Sequence, residues 1–366
     1  MVRVVNAGSS SVKLRVVEDG TRVSSATDLG APDAHLADRL DEFAAPVGPV
    51  DAVGHRVVHG GSRFLVPVRI GPDVRHGLEG LNDLAPLHNR PALVGIDAAA
   101  TRFAGVPQVA CFDTSFHTSL PPEVTTYAVP ADWVSRWGIR RYGFHGLSCA
   151  WAARRAPVLL GRPADRLRLV VCHLGAGASV TAVAAGRSAD TTMGFTPLEG
   201  LVMATRSGDL DPGALLYALG HGLTTPEADH ALEYRSGLFG LCEPCGGDMR
   251  RLLAARTGGD RSADLAVTVY LHRLRAKIAA MTAATSGTDA LVFTGGVGEG
   301  APAIRSEVVA GLEWMGARLD EDANRSVGGA DTEISAAGSA VATLVVHSRE
   351  ELQIADECAQ VLASPA

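Results

Sequence analysis

Four short polar clusters interrupt apolar or glycine-rich stretches of this 366-residue chain. They are centred on Arg56, Asp113, His145 and Arg206. Each also has a purely structural interpretation: Arg206 could pair with Asp209, Asp113 could cap a helix, and His145 could be a hydrogen-bonded core histidine. Taken together, two isolated arginines, a histidine and a carboxylate at a strand end supply the cations and donors that phosphoryl transfer needs around the moving group.

The first residues predict two strands joined by a polar turn. An apolar run reaches Asn6, one Gly and three Ser occupy residues 8–11, and a second apolar run carries Lys13. Such a turn can hold a nucleotide's phosphates through close backbone approach, amides, hydroxyls and an ammonium group. Lys13 and Lys277 are the two lysines among 33 basic residues, which indicates a need for a slim cation at position 13. The alternative is an ordinary β-hairpin with a polar tip.

A second strand, glycine turn and strand follow near the middle of the chain, over residues 167–185. The stretch Leu169 to Gly186 has no Asp, Glu, Lys or Arg, but His173 and three glycines break it. We therefore expect a buried hairpin rather than a membrane helix. One phosphate-sized turn in each half predicts a duplicated nucleotide-binding core, although glycine hairpins can also recur by chance among 41 glycines.

Other segments predict alternating strands and helices. A short strand over Ala290–Phe293 leads into a glycine turn and a helix from Ala301, whose N-terminus offers amides to an anion. A strand over Val109–Phe112 ends just before the carboxylate of the second cluster, and a loop enters a helix at about Ala92. A long helix follows Ser262, its expected N-cap. Its apolar stripe at helical spacing predicts core positions Val267, Leu271, Leu274, Ile278 and Met281.

Composition bounds the class of protein. The chain is 46% hydrophobic and 20% charged, with a net charge of −7, which argues against a nucleic-acid partner. The first residues predict a strand rather than a targeting peptide. The six cysteines lack the density of a disulfide scaffold, so we expect a reducing cytoplasm. Cys242 and Cys245 form a lone CxxC without the second ligand pair that a zinc site needs.

From residue 4 to residue 361 the chain resembles the acetokinase family, within the sugar kinase–Hsp70–actin superfamily. Nine segments carry this resemblance in order along the chain: 6–14 (NAGSSSVKL), 54–61 (GHRVVHGG), 85–89 (APLHN), 112–117 (FDTSFH), 138–146 (GIRRYGFHG), 173–177 (HLGAG), 193–213 (MGFTPLEGLVMATRSGDLDPG), 293–299 (FTGGVGE) and 350–351. The resemblance implies an α/β fold of two actin-like (ribonuclease H-like) domains from a duplicated core, with the active-site cleft between them. It implies a first domain over 1–114 plus 352–364 and a second over 117–347.

The resemblance also implies an activity: reversible, direct in-line transfer of the ATP γ-phosphoryl group to acetate, giving acetyl phosphate and ADP, in acetyl-CoA biosynthesis. It implies Mg²⁺, for which Mn²⁺ can substitute, and a cytoplasmic homodimer with neither nucleic-acid nor membrane partners. By analogy, Asn6 and Glu350 organise the metal, and Lys13 meets nucleotide phosphate. Arg56 and Arg206 hold the acetate carboxylate and the transferring phosphoryl group.

The remaining roles come from the same resemblance. Asp113 is the family's catalytic carboxylate. We expect it to orient Arg56 or a metal-bound water rather than act as a base, because acetate is already ionised at pH 7. His145 donates to the γ-phosphoryl group. The implied nucleotide-binding residues are His173, Leu174, Gly175, Ala176, Gly177, Asp248, Met249, Arg250, Gly296, Val297, Gly298, Glu299 and Gly300. The implied acyl pocket consists of Val58, Leu87, Phe144 and Pro197.

The chain departs from the family pattern at several positions. Ala176, Gly300 and Arg349 replace the usual asparagines, Arg90 replaces the usual proline, and residues 147–149 read Leu-Ser-Cys instead of Thr-Ser-His. These departures keep open a catalytically impaired nucleotide-binding homologue. A kinase for propionate or another short carboxylate is the other alternative, against which the bulky Val58 argues.

Overall fold

The computed structural model describes residues 1–7, 12–29, 50–82 and 86–363, with only the backbone described for 86–88. The predicted glycine–serine turn at 8–11 lies outside these ranges. The chain divides into two compact units. The first comprises Met1–Thr118, Phe144–Trp151 and Arg349–Ala366, and the second comprises Ser119–Gly143 and Ala152–Ser348. The domain bounds expected from the sequence stay a prediction.

The described strands of the first unit form one six-stranded sheet. They are β1 (Val2–Ala7), β2 (Val12–Glu18), β3 (Arg22–Leu29), β4 (Ala52–Val57), β5 (Val68–Arg69) and β6 (Gln108–Phe112). Their order across the sheet is β3-β2-β1-β4-β6-β5. Strands β1, β4 and β6 run parallel, whereas β2, β3 and β5 pair antiparallel to their neighbours.

The described strands of the second unit form another six-stranded sheet, in the order β11-β12-β10-β7-β8-β9. They are β7 (Arg168–Leu174), β8 (Ala178–Ala184), β9 (Arg187–Thr191), β10 (Ala290–Thr294), β11 (Thr332–Glu333) and β12 (Ala342–Val345). Each sheet thus has a three-stranded antiparallel meander, then two more parallel strands and an antiparallel edge strand. The predicted duplicated α/β core and the predicted hairpin of β7 and β8 are confirmed.

Helices connect and cover these strands. In the described residues they are α1 (Pro72–Glu79), α2 (Pro86–Arg102), α3 (Pro122–Thr125), α4 (Ala131–Trp137), α5 (Gly146–Leu160), α6 (Pro212–Gly220), α7 (Thr225–Tyr234), α8 (Gly237–Leu241), α9 (Met249–Thr257), α10 (Arg261–Ala284), α11 (Gly295–Gly300), α12 (Pro302–Ala310), α13 (Glu321–Arg325) and α14 (Glu350–Ala363). Within the described ranges, no helix is long and apolar enough to cross a membrane.

The first sheet is covered by different helices on its two faces. Val5 and Val53 pack with Ala99 of α2, whereas their neighbours Val4 and Ala52 join a cluster that includes residues of α14. This alternation is the period of two expected for a strand buried on both faces. The close fit of α14 depends on Gly54, because a Cβ there would lie 2.5 Å from Ile354.

Two predicted helix starts are wrong. Helix α10 is capped by Asp260 instead of Ser262, since Asp260 Oδ1 accepts from the backbone amides of Ser262 and Ala263 at 2.8 and 2.9 Å. Helix α2 begins at Pro86 rather than near Ala92. A proline fits the first helical turn, whose amides have no partners within the helix. The five residues of the predicted α10 stripe are all buried, as expected.

Candidate active site

The parallel strands of the first unit bring three polar residues to one edge of the sheet. Asn6 lies near the end of β1, Arg56 near the end of β4, and Asp113 directly after β6. The register pairs Val5 with His55 and Arg56 with Cys111, so these strands end side by side. Ligands of such α/β folds bind outside the carboxyl ends of the strands.

At this edge Arg56 forms a bidentate ion pair with Asp113. Its Nε and Nη2 donate to the two carboxylate oxygens at 2.9 and 2.6 Å. Its Nη1 lies 3.3 Å from Glu350 Oε2, and the same oxygen accepts from Asn6 Nδ2 at 3.4 Å. Glu350 is the first residue of α14. The structure therefore gathers four predicted site residues into one network, which we call the charged network.

Burial and charge act in opposite directions on this network. The Asp113 side chain is only 1% exposed. Burial raises the pKa of the Asp113 carboxyl, and the neighbouring Arg56 charge opposes that rise. For Arg56, burial disfavours the charge, but the carboxylates of Asp113 and Glu350 outweigh it and raise the pKa. The guanidinium thus stays charged, as binding an anion requires.

His145 is held beside the network by its own backbone. Its φ of +58° is in the left-handed region, which is uncommon for a residue other than glycine. The next amide, of Gly146, donates to the carbonyl of Asp113 at 2.8 Å. A Cβ on Gly146 would lie 2.2 Å from that carbonyl oxygen, so only glycine fits. His145 is therefore fixed against the same strand end as Asp113.

Two of the predicted acyl-pocket residues lie in the first unit with described side chains. Val58 is half-buried immediately after β4, and Phe144 is fully buried. The ring of His59 packs edge-on against Phe144 at 5.3 Å between centroids. His117 Nε2 donates to the Phe144 carbonyl at 2.9 Å, and burial lowers the pKa of His117 to about 4, so this ring is neutral. The side chain of Leu87 lies outside the described part of the structure.

The second unit repeats the arrangement of strand ends, but the groups at these ends are mainly backbone amides and carbonyls instead of charged side chains. The pairing of β7 with β10 places His173 opposite Thr294. The turn after β7 closes through the Gly175 amide, which donates to the Gly177 carbonyl at 3.0 Å. In that turn the side chain of Ala176 is exposed. The predicted nucleotide stretch His173–Gly177 thus lies next to the end of the parallel strand β10.

The glycine stretch after β10 was predicted to be a turn, but it forms the short helix α11, whose first residue abuts the turn after β7. Gly295 has a φ of +79°, and a Cβ there would lie 2.9 Å from the Leu174 carbonyl oxygen. Glu299 Oε1 accepts from the amides of Gly295 and Ser348 at 2.8 and 2.9 Å. Glu299 therefore ties the first residue of α11 to Ser348, and the two terminal glycines of Gly296–Gly300 are exposed.

The third predicted nucleotide stretch begins helix α9. Asp248 caps the helix by accepting from the Arg250 amide at 2.8 Å, and it pairs with the Arg250 guanidinium at 2.7 Å. The hydrogen bonds from Arg250 lower the pKa of Asp248 to about 2. Met249 is buried, whereas Arg250 is almost fully exposed. Of these three, the Arg250 side chain is the one presented to solvent.

Arg206 lies in the second unit, where it contacts Glu233 and Pro197. Its Nε donates to Glu233 Oε2 at 2.8 Å, and its Nη1 donates to the Pro197 carbonyl at 3.4 Å. Asp209, the partner considered from the sequence, instead pairs with Lys277 at 2.5 Å. The structure thus brings together two predicted site residues, Arg206 and Pro197.

Lys13 and Asn6 face each other across the first hairpin. The antiparallel register of β1 and β2 pairs them directly, and directly opposed residues have neighbouring side chains on one face. Lys13 is exposed. The hairpin therefore presents a cation next to the charged network.

The residues Asn6 and Glu350 fit a Mg²⁺ ion. Among the described residues, no cluster of three or more His, Cys, Asp or Glu side chains is placed to enclose a metal. Mg²⁺ does not need such an enclosure, because it keeps several waters and takes one or two carboxylates together with substrate phosphates. One carboxylate and one amide at the strand ends suit that mode of binding.

Sequence reasoning missed the residues that hold the site in place. Asn89 exchanges hydrogen bonds with the backbone of His59 at 3.2 and 3.1 Å, just after Val58. In the second unit Arg141 donates to Glu199 at 2.7 Å and to the carbonyl of Met193 at 2.9 Å. The segments 85–89, 138–146 and 193–213 had drawn attention as motifs, but their internal partners are separated by tens of residues.

Comparisons with known proteins agree with one another. The model of the acetokinase family matches residues 24–356. The acetate kinase of Clavibacter michiganensis subsp. michiganensis is 44% identical, with 97% of each chain covered. The crystal structure of Porphyromonas gingivalis acetate kinase is similar with a TM-score of 0.90 and 35% identity over 99% of each chain. A propionate kinase from Francisella tularensis subsp. tularensis is similar with a TM-score of 0.89 and 34% identity, over 97% of this chain and 98% of that one.

Proposed function

Because this chain belongs to the acetokinase family, we propose that it transfers the γ-phosphoryl group of ATP to acetate and also catalyses the reverse reaction. The products of the forward reaction are acetyl phosphate and ADP. The observation that supports this reaction best is the charged network, in which a buried Asp113 fixes the plane of Arg56 at the strand ends. That arrangement offers a carboxylate substrate an oriented, permanently charged fork.

The reaction itself needs no base from the protein. An oxygen of the ionised acetate attacks the γ-phosphorus in line, the bond to the ADP oxygen breaks, and its electron pair leaves with ADP. We assign Arg56 to the acetate carboxylate and Asp113 to the orientation of Arg56. Catalysis then consists of positioning the reactants and stabilising the charge on the transferring group.

The donors to the transferring group are Arg206 and His145. An arginine fork matches the trigonal oxygens of a phosphoryl group in flight, and removing one such donor typically costs about 10²–10³ in rate. The left-handed backbone of His145 supports this role, since strain of that kind is retained where a side chain must be aimed.

The nucleotide is assigned to the second unit and to Lys13. The turn His173–Gly177 and the stretch Gly296–Gly300 offer backbone groups next to parallel strand ends, and the exposed Arg250 adds a charge. When bound, Mg²⁺ would be held by Asn6 and Glu350, with Mn²⁺ able to replace it, and would neutralise part of the phosphate charge.

A kinase for propionate is the second candidate, favoured by the similarity to the Francisella propionate kinase. Val58, Phe144, Leu87 and Pro197 are the proposed pocket for the acyl group. The half-buried Val58 favours acetate, because a bulky side chain there leaves little room beyond a methyl group. One methylene is worth about 1–3 kcal/mol of discrimination, so propionate would be a weaker substrate.

An impaired homologue fits the structure less well. The departure Ala176 lies at an exposed turn position and Gly300 at the exposed end of α11, whereas the charged network is complete. We further propose a cytoplasmic homodimer that acts in acetyl-CoA biosynthesis, as the family resemblance implies. The six cysteines are free thiols, which supports a reducing compartment.

The test is acetyl phosphate formation from ATP, Mg²⁺ and acetate, trapped with hydroxylamine, with propionate and butyrate run in parallel. We expect turnover with acetate and weaker turnover with propionate. Arg206→Ala should lower the turnover of acetate by about 10²–10³. ATP binding without turnover on any acid would overturn the kinase assignment in favour of the impaired homologue.

A further inference from the structure

Glu233 is a half-buried carboxylate that none of the assigned roles uses. It lies near the end of helix α7, with its side chain 13% exposed, and it accepts a hydrogen bond from Arg206 Nε at 2.8 Å. Nε is the donor nearest the side-chain stem. A partner at that atom fixes the plane of the guanidinium, whereas a phosphoryl group would meet the terminal nitrogens.

The backbone around Arg206 is tied to the same end of α7. Thr205 Oγ1 donates to the Glu233 carbonyl at 2.7 Å, the Ser207 amide donates to Leu232 at 3.2 Å, and the Ser236 amide donates to Thr205 at 2.9 Å. Gly237 follows with a φ of +61°, and a Cβ there would lie 2.6 Å from the Arg206 carbonyl oxygen. The residue before Arg206, the residue after it and the carboxylate opposite it are thus held by one turn.

The charge of Glu233 opposes the binding of anions. A carboxylate next to the arginine that meets a phosphoryl group weakens the attraction of that arginine for any anion nearby. The presence of Glu233 at this position is explained if it orients Arg206. A guanidinium turned away from the transferring phosphoryl group would not stabilise the charge of that group. Orientation matters most in the transition state, where the charge on the equatorial oxygens must be met in a fixed geometry.

We propose that Glu233 is a positioning residue that sets the plane of Arg206 for phosphoryl transfer. The proposal rests on the function proposed above. A positioning role predicts different effects of Glu233 loss on kcat and on the KM for acetate, whereas a merely structural ion pair predicts no such difference. Loss of Glu233 lowers kcat because the plane of Arg206 is no longer fixed. The KM for acetate changes little, because the removed negative charge compensates for the lost orientation in the ground state.

The test compares Glu233→Gln and Glu233→Ala with the wild type, each alone and in an Arg206→Ala background. We expect kcat to fall about tenfold in Glu233→Gln and about a hundredfold in Glu233→Ala, with the KM for acetate within threefold. Glu233→Asp, which keeps the charge but shortens the reach, restores part of the kcat. In the Arg206→Ala background Glu233→Ala has no further effect on kcat, as a double-mutant cycle requires for residues that act through each other.

The matched control is Asp289→Asn, which removes another half-buried carboxylate of the second unit. Asp289 pairs with Arg168 at 3.2 Å, at the opposite end of β7 from the nucleotide stretch. We expect its kcat to stay within twofold of the wild type.

The proposal is overturned by a Glu233→Ala kcat within twofold of the wild type, or by an equal loss in the Arg206→Ala background. In either case normal wild-type turnover leaves the kinase assignment intact. A wild type without turnover on any acid overturns both the assignment and the positioning role.

Discussion

The two units carry the same sheet order but equip the ends of their parallel strands differently. In the first unit the strand ends carry charged and amide side chains: Asn6, Arg56 and Asp113, with Glu350 beside them. In the second unit the corresponding ends lead into a glycine turn over residues 173–177 and into the glycine-rich helix α11 over residues 295–300. The strand ends of the first unit thus present charged side chains in fixed positions, and those of the second unit present backbone groups in fixed positions.

The difference follows from what each edge is proposed to bind. A small carboxylate has few atoms to grip, so it needs a strong, oriented cation, and Arg56 provides one. A nucleotide is large and can be held by many weak amide contacts along its phosphates. A duplicated framework can thus serve two ligands because it fixes only where strands end, and the residues that follow them set the chemistry.

The largest effect is expected from a substitution that disrupts the charged network. Arg56→Ala leaves Asp113 buried without its partner, which should lower the free energy of unfolding by about 3–5 kcal/mol. It should also lower kcat/KM for acetate by at least about 10². Urea denaturation and the hydroxylamine assay measure the two effects.

An exposed pair provides the control for Arg56→Ala. Arg75 binds Asp97 with the same bidentate geometry, at 2.9 and 2.7 Å, but Asp97 is 52% exposed. We expect Arg75→Ala to cost less than about 1 kcal/mol and to leave turnover unchanged. Equal costs for the two variants would show that burial does not distinguish this edge.

The next effect concerns a further buried carboxylate, Glu357, which lies near the Asp113 of the charged network. Burial raises the pKa of Glu357 from its ordinary value near 4.5 to about 7. The folded state then binds the proton more tightly than the unfolded state, so stability falls as the pH rises from about 4.5 to about 7. We expect Glu357→Gln to abolish this loss and to gain up to about 3 kcal/mol over the wild type above pH 7.

Urea denaturation at pH 5 and pH 8 tests the Glu357 prediction. Gln353, which donates to Glu357 at 3.0 Å, stays in place in this variant. The control is Glu123→Gln, on an exposed helix position. A difference between Glu357→Gln and the wild type that is constant from pH 5 to pH 8 would contradict the raised pKa.

A smaller effect is expected at the strand ends of the second unit, where the glycine-rich segments lie. Gly295→Ala places a Cβ 2.9 Å from the Leu174 carbonyl at a φ of +79°, which should cost about 1–3 kcal/mol of stability. It should also raise the Kd for ATP several-fold while the KM for acetate stays within twofold. The neighbouring Gly296→Ala, where a Cβ meets nothing within 4 Å, should leave stability unchanged. Calorimetric titration with ATP and thermal unfolding provide the readout.

The smallest effect tests whether the strand ends of the first unit bind the acid while those of the second unit bind the nucleotide. Val58→Ala should enlarge the proposed acyl pocket and shift the ratio of kcat/KM for propionate over acetate by about five- to twentyfold. The KM for ATP should stay the same, because Val58 belongs to the edge that is proposed to hold the acid. Val66→Ala, at a valine 60% exposed, is the control. An unchanged ratio would remove Val58 from the pocket.

Much of the fold could be predicted because its signals are local. The hairpin of β7 and β8, the strand β10 and the buried stripe of α10 each follow from apolar runs and periodicity within a single segment. The errors are local as well. Pro91 was expected to precede its helix, yet α2 includes it, because packing of the rest of the helix compensates for one lost hydrogen bond.

The site was predictable in its residues but less so in their partners. Arg56, Asp113 and Arg206 stood out as isolated polar groups in motifs. The pairing of Arg206 with Glu233, instead of the nearby Asp209, depends on where α7 ends in space. A charge pair between residues 27 positions apart has no periodic signature, so only the folded chain shows it.

The position of α14 has a consequence for how the chain folds during synthesis. Leu352, Ile354, Ala355 and Cys358 belong to the core cluster that also contains Val4 and Ala52 of the first sheet. A ribosome delivers those helical residues after every residue of the second unit. The usual order, in which the N-terminal part matures first, is therefore reversed for this core. That part of one apolar face of the first sheet must stay uncovered until α14 has been synthesised, and a chaperone can bind it during this interval.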